Sequence, residues 1–313
     1  MAKIHKKIGD ILTDWFGALA VLFFYFFIPL LPLKISYMIA RTLSNASLKF
    51  LKKQRNTILG NMDVAFGTKM SEEEKMVAAR GAVTNMLKGY FETFYMASHF
   101  REKIDDIVSI EGREYLDHAL ARGKGVIALS AHFGNFIMLG AVMAREKYHF
   151  YTVIREPKSK HVAKIFGKLR DYMEHKWIAA QPRRVCLKKM LNCLRNNQIV
   201  CLITDENKRH GGVNVDFFGH NSPTATGPAV LSLRTGAVIV PIFIVRQKDD
   251  THKVIIEPAL EFNLTGNQEE DIRHITSIFT ERIEFYVRSY PTQWFWLNRR
   301  WKGISPGDKH YRG

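Results

Sequence analysis

His132 stands in residues 126–135, VIALSAHFGN, where a short apolar run gives way to Ser130, Ala131, the histidine, Gly134 and Asn135. Residues 126–129 predict a buried strand, and an apolar helical pattern begins near Asn135. A histidine where a buried strand hands over to a helix is held by rigid elements and stays reachable from outside, which suits a general base. Two further predicted strand ends carry polar groups. Residues 148–154 lead to Arg155, and residues 199–204 lead to Asp205 and Glu206. Ligands of open α/β sheets gather at the carboxyl ends of strands, so these groups form one candidate site. A turn at residues 217–219, ending in Gly219, precedes PTATGP and a helix. There the Thr226 hydroxyl and the backbone N–H groups near Gly227 suit an anion or an oxyanion, although the ordinary role of a threonine at that position is to cap its helix.

The elements that must position these residues follow from periodicity. From residue 107 onward short apolar strands alternate with amphipathic helices: strands at 107–110, 126–129, 148–154, 177–179, 199–204, 213–218, 238–245 and 254–256, and helices at 114–121, 135–145, 158–174, 184–195, 226–234 and 269–289. This grammar predicts an α/β fold with a mixed, largely parallel sheet flanked by helices. Before it, residues 35–65 read as one helix. Residues 72–100 read as a second, opened by Ser71 with Glu74 completing a capping box. The expected division is a membrane-anchoring helical region, 1–104, and an α/β domain, 105–313.

The chain has 313 residues, 46% of them hydrophobic and 12% aromatic, enough for a substantial core and against disorder. Lys and Arg number 46 against 30 Asp and Glu, a formal charge of +16 that attracts anionic partners or surfaces. Cys186, Cys193 and Cys201 are odd in number and lack CxxC spacing, so they read as free thiols in a reducing compartment rather than disulfides or zinc ligands. No P-loop, no GxGxxG after a strand, no GxSxG and no HExxH occurs, and no metal site is expected.

Residues 15–33 contain no charge and are rich in Phe and Leu. As a straight helix they would cover roughly 28 Å, about one hydrocarbon core. Pro29 and Pro32 break or kink that helix near its end. Lysines and arginines flank it on both sides, so either a single span or a segment that enters and returns fits. The basic residues 158–168 could hold phosphates, but a soluble nucleic-acid protein has little use for such a segment, and no nucleic-acid partner is expected.

The chain resembles the bacterial lipid A biosynthesis acyltransferases of the lauroyl/myristoyl type, within the wider lysophospholipid acyltransferase group. The likeness covers almost the whole sequence: the N-terminal apolar segment, NMDVAF at 61–66, AHFGN at 131–135, Asp205, VDFFG at 215–219, TGP at 226–228, LRTGA at 233–237 and WFWLNRRWK at 294–302. It implies transfer of a fatty acyl chain from acyl carrier protein, or acyl-CoA, to a hydroxyl of an anionic glycolipid, at the cytoplasmic face of a bacterial inner membrane. No resident cofactor is implied; the acyl thioester is the co-substrate. His132 matches the family's base, and Arg155, with Lys208 and Arg209, would hold acceptor phosphates.

The family's signature places a carboxylate after four residues, and here that position is Ile137. Asn298 likewise stands where the family usually has a histidine. Three arrangements are open: Asp205 or Glu206 reaches His132 from another strand end, Asn135 or a backbone carbonyl fixes the imidazole, or the protein is a non-catalytic relative that binds lipid or carrier protein.

Overall fold

The computed structural model describes residues 18–302 except 158, 209 and 210. At its centre is β2 (Val126–Ser130), buried along its whole length between two neighbours. The seven-stranded sheet has the order β1-β9-β8-β2-β5-β3-β4. It comprises β1 (Val108–Glu111), β2, β3 (Phe150–Ile154), β4 (Lys176–Ala179), β5 (Ile199–Ile203), β8 (Val238–Arg246) and β9 (His252–Ile256). Strands β8, β2, β5, β3 and β4 are mutually parallel. β9 pairs antiparallel with β8 and parallel with β1, so those two run the other way. A strand covered on both faces must be apolar throughout, which is why VIAL shows no polar alternation.

Successive side chains leave opposite faces of a strand, and the two hydrophobic clusters follow that rule. Ile127, Leu129, Val200 and Leu202 join one, beneath α8 (Arg183–Arg195), α9 (Gly227–Thr235) and α10 (Gln268–Ser289). Val126, Ala128, Ile199 and Cys201 join the other, beneath α5 (Arg113–Ala121), α6 (Phe136–Arg145) and α7 (Lys160–Tyr172). Each large aliphatic side chain so buried contributes about 1.5–3 kcal/mol of transfer free energy. The helices before the sheet enter both clusters: Ile58 and Met62 the first, Phe100 and Ile104 the second. Cys186, Cys193 and Cys201 are free and buried.

Several boundaries differ from the sequence expectation. The helix expected over 35–65 is two, α2 (Leu33–Phe50) and α3 (Lys52–Phe66), separated at Leu51, whose ψ of 65° leaves the helical region. α4 runs from Glu72 to Ile107, beyond residue 100, and starts with the expected capping box of Ser71 and Glu74. Residues 220–225, given no element from the sequence, form β7 (His220–Ala225), which pairs antiparallel with β6 (Gly212–Phe217). Phe218 and Gly219 both have positive φ, as a two-residue hairpin turn of this twist requires. Pro223 is tolerated because the hairpin has only two strands.

The apolar segment 15–33 is described from residue 18. Residues 18–27 form a helix (α1), Pro29 lies in a single turn of 3-10 helix, and Pro32 caps α2. No helix among the described residues is long and apolar enough to cross a membrane. α1 packs Phe24 on Phe91 of α4, with ring centroids 5.2 Å apart, and Tyr25 edge-on to Phe94. Its other side leaves Leu19, Phe23, Phe26 and Phe27 exposed, continued by Leu30, Ile35, Met38 and Phe50.

Candidate active site

Parallel pairing of β2 with β5 sets Ser130 opposite Ile203, so the residues just past each strand end, His132 and Asp205, meet. Asp205 Oδ1 lies 2.8 Å from His132 Nδ1 and also accepts the His132 backbone N–H at 3.1 Å. Its other oxygen, Oδ2, accepts from Trp294 Nε1 at 2.7 Å and from Asn298 Nδ2 at 3.1 Å. The carboxylate is wholly buried and the imidazole side chain is 23% exposed. Burial works against the Asp205 charge, but His132 and the donors of Trp294 and of the His132 backbone outweigh it and hold its pKa below the ordinary value. Burial likewise opposes protonation of His132, and the Asp205 charge outweighs it, raising the imidazole pKa. With Nδ1 engaged, Nε2 is the ring nitrogen left for chemistry.

The turn that carries His132 is clamped by the C-terminal segment. Gly134 donates its N–H to Gln293 O at 2.8 Å, Phe295 donates to His132 O at 3.0 Å, and Phe133 bridges Trp294. Gly134 has φ +55°, and a Cβ there would sit 1.8 Å from Ile244 O, so only glycine fits. Arg300 is buried behind this clamp, donating to Pro223 O and Thr224 Oγ1.

The contact present at the imidazole is the one expected with Asp205. Glu206 is exposed and makes no hydrogen bond to the imidazole; its charge acts on His132 from a distance. Asn135 does not hold the ring either. Its Nδ2 donates to Glu92 at 2.8 Å, and its Oδ1 is buried without a partner. Ile137 is the second residue of α6 and joins Phe136, which meets the imidazole edge-on at 4.9 Å, in the wall beside it.

His132 opens on a cavity of about 930 Å³, a size suited to a substantial ligand. One side is apolar: Val21 and Phe24 of α1, Leu87, Phe91 and Phe94 of α4, and Phe166 of α7. The other side, along the ends of β3, β4 and β5, carries Arg155, Arg183, Thr204, Glu206, Asn207 and Lys208. Arg155 thus belongs to the site as expected from its strand end, while Arg209 lies outside the described residues. Gly219, Thr226 and Gly227 do not line this cavity. The Gly219 N–H is taken by Asp216, the Thr226 hydroxyl points to Gly211 O without capping α9, and Gly227 packs toward Leu202. The reason is the β6–β7 hairpin, which uses this stretch for pairing and leaves Ala225 in the lining. Thr204 is buried, and its hydroxyl has no hydrogen-bond partner. No cluster of three or more His, Cys, Asp or Glu suited to a metal occurs among the described residues.

Sequence reasoning missed the roles of Trp294 and Asn298. The motif WFWLNRRWK marked the segment, but nothing local to it says that its indole and amide turn back to a carboxylate about ninety residues earlier.

A histidine–carboxylate pair at the edge of a mixed apolar and basic cavity has the groups that general acid–base chemistry needs. The family model described as bacterial lipid A biosynthesis acyltransferase matches residues 3–303, and the chain belongs to that family. It is similar to a phosphatidylinositol mannoside acyltransferase of Mycobacterium tuberculosis (strain CDC 1551 / Oshkosh), 29% identical over 204 residues, 61% of this chain. That alignment spans 59% of the mycobacterial protein's length. It is also similar to the lipid A biosynthesis palmitoleoyltransferase of Escherichia coli (strain K12), 25% identical over 94% of this chain and 92% of that one. The lipid A biosynthesis lauroyltransferase of the same organism is 24% identical over 87% of each chain.

Proposed function

We propose that this protein is a membrane-associated O-acyltransferase that moves a fatty acyl chain from a carrier-protein thioester, or acyl-CoA, to a hydroxyl of a lipid A precursor or related anionic glycolipid. The observation that carries the reading is the His132–Asp205 pair at the edge of a cavity apolar on one side and basic on the other. In this reaction His132 Nε2 takes the proton of the acceptor hydroxyl, and the oxygen attacks the thioester carbonyl carbon. The tetrahedral intermediate then expels the thiolate, the C–S bond breaks, and the imidazolium returns the proton to sulfur. Asp205 fixes the tautomer and supports the imidazolium without taking the proton. The unpartnered Thr204 hydroxyl is the donor free to meet negative charge on the carbonyl oxygen.

The apolar side suits the acyl chain, and Arg155, Arg183 and Lys208 suit acceptor phosphate. The exposed apolar face of α1 and α2, beside Lys34, Lys49, Lys52 and Lys53, suits docking on an anionic leaflet without a span. The bacterial inner membrane at its cytoplasmic face is the matching location, and the +16 charge suits an acidic carrier protein.

The test is transfer by the purified full chain, with dodecanoyl-loaded acyl carrier protein and dodecanoyl-CoA as donors, and lipid A precursor and phosphatidylinositol mannoside as acceptors. The wild type should transfer in at least one combination, and His132→Ala should lose at least about 10³-fold. Transfer unaffected by that change, or carrier-protein binding without turnover in every combination, would overturn the reading in favour of a non-catalytic binder.

A further inference from the structure

Deep in the same cavity, away from the basic rim, two polar side chains face each other among apolar ones. Thr152 of β3 and His175, just before β4, are 6% and 5% exposed, and His175 Nε2 lies 2.9 Å from Thr152 Oγ1. Both line the cavity with Phe166, Leu169 and Met173. Strand register gives their depth. Thr152 pairs with Cys201, which pairs with Ala128, four residues before His132. At about 3.3 Å per residue the pair sits roughly 13 Å further down the strands than the imidazole of the proposed base. That is the level of a chain's body, below where an ester would form.

The pair is built in. Gly140 of α6 makes room for the ring, since a Cβ there would come within 2.0 Å of His175 Nε2. Burial and the neighbouring Arg170 charge push the His175 pKa down to about 3, so the ring is neutral at ordinary pH. A neutral imidazole and a hydroxyl have two donors between them, and their mutual bond uses one. Whichever way that bond runs, one N–H or O–H remains. Among the described residues neither side chain has a second hydrogen-bond partner. A purely hydrocarbon chain laid over this floor would leave that donor unmet, which is costly in a water-poor cavity. A chain with an oxygen at that depth would satisfy it.

We propose that Thr152 and His175 form a polar subsite on the cavity floor that selects an acyl chain bearing a hydroxyl group. The proposal rests on reading the cavity as the acyl site. It adds a substrate class to that reading: hydroxyacyl donors over plain saturated ones of equal length. Arg170 also lines the cavity; Glu156 holds its Nη2 at 2.8 Å and the Trp177 ring covers its guanidinium, while its Nε is buried without a partner, so variants at Thr152 and His175 separate their contribution from that of Arg170.

The experiment is equilibrium binding, which needs neither the natural acceptor nor turnover. The full chain in detergent is titrated with dodecanoate and with the positional isomers of hydroxydodecanoate, by displacement of a fluorescent fatty acid. At least one isomer should bind about tenfold more tightly than dodecanoate. The double variant Thr152→Val/His175→Leu, which removes both donors, should abolish that preference, each single variant should lower it only in part, and Thr152→Ser should retain it. Equal or weaker binding of every hydroxy isomer, or a preference that survives the double variant, overturns the subsite and leaves the acyl cavity standing. Failure of every fatty acid to bind overturns the acyl cavity and the subsite with it.

Discussion

Two buried carboxylates in this molecule are built from the same parts and do different work. Asp205 is wholly buried and holds His132, with an indole and an amide as further donors. Glu92, on α4, is also wholly buried. It accepts from Tyr37 at 2.5 Å, from His252 Nε2 at 2.9 Å, from Asn135 at 2.8 Å and from both ends of the Arg246 guanidinium. Burial opposes the Glu92 charge, and His252 and Arg246 outweigh it, holding its pKa far below the usual carboxylate range. The contrast lies in access and counter-charge. The His252 side chain is sealed at 0% exposure, whereas His132 turns one nitrogen to a cavity. Glu92 is bonded directly to a permanent cation, whereas Asp205 is bonded to a histidine that can gain or lose its proton, with the buried Arg300 acting on it only through space. A buried carboxylate with a fixed cation ties α2, α4, β8 and β9 together. One whose partner can titrate and meet a ligand is equipped for proton transfer.

The contrast makes separable predictions. Asp205→Asn should lower kcat about 10⁴-fold, because an amide cannot fix the productive tautomer, while the melting temperature stays near the wild type. It should also move the pH profile. The raised His132 pKa means that the wild type loses its base as pH falls through a value above that of an ordinary histidine, and the acidic limb of kcat/KM should lie there. Without the Asp205 charge, burial prevails and the limb should shift to lower pH. Glu92→Ala should instead cost about 3–5 kcal/mol in chemical denaturation, because Arg246 and His252 lose their buried partner and Arg246 keeps only Asp250, at 3.6 Å, with the surviving folded protein retaining its acidic limb. Unfolding by Asp205→Asn together with normal stability of Glu92→Ala would reverse the assignment. Trp294→Phe removes one donor to Asp205 and should cost about tenfold in kcat, measured at saturating donor.

The legible parts of the site were those set by local sequence. His132, Arg155 and Asp205 each follow an apolar run, and a strand end is readable from where the apolar residues stop. Family membership was legible because six short motifs and Asp205 occur in order, and the family match over residues 3–303 bears it out. The capping box at Ser71 was legible because it needs only four consecutive residues. The hairpin at 212–225 was not, since Pro223 and the threonines read as loop when the partner strand is unseen. Nor was the choice between Asp205 and Glu206. Adjacent residues on one strand end are equivalent in sequence, and only the β2–β5 register puts one carboxylate on the imidazole.

By itself the sequence determined the alternation of strands and helices, the histidine at a strand end and the absence of an acid at Ile137, because each is a matter of residue type and spacing. Tertiary structure decided which group meets His132. Strand pairing brings Asp205 to the imidazole, and two donors from about ninety residues later, Trp294 and Asn298, hold its other oxygen. It also decided that the same stretch of chain turns Asn135 away to Glu92 while His132 faces the cavity. Hydrogen bonds between residues seventy to ninety positions apart depend on packing geometry, and no local pattern records them.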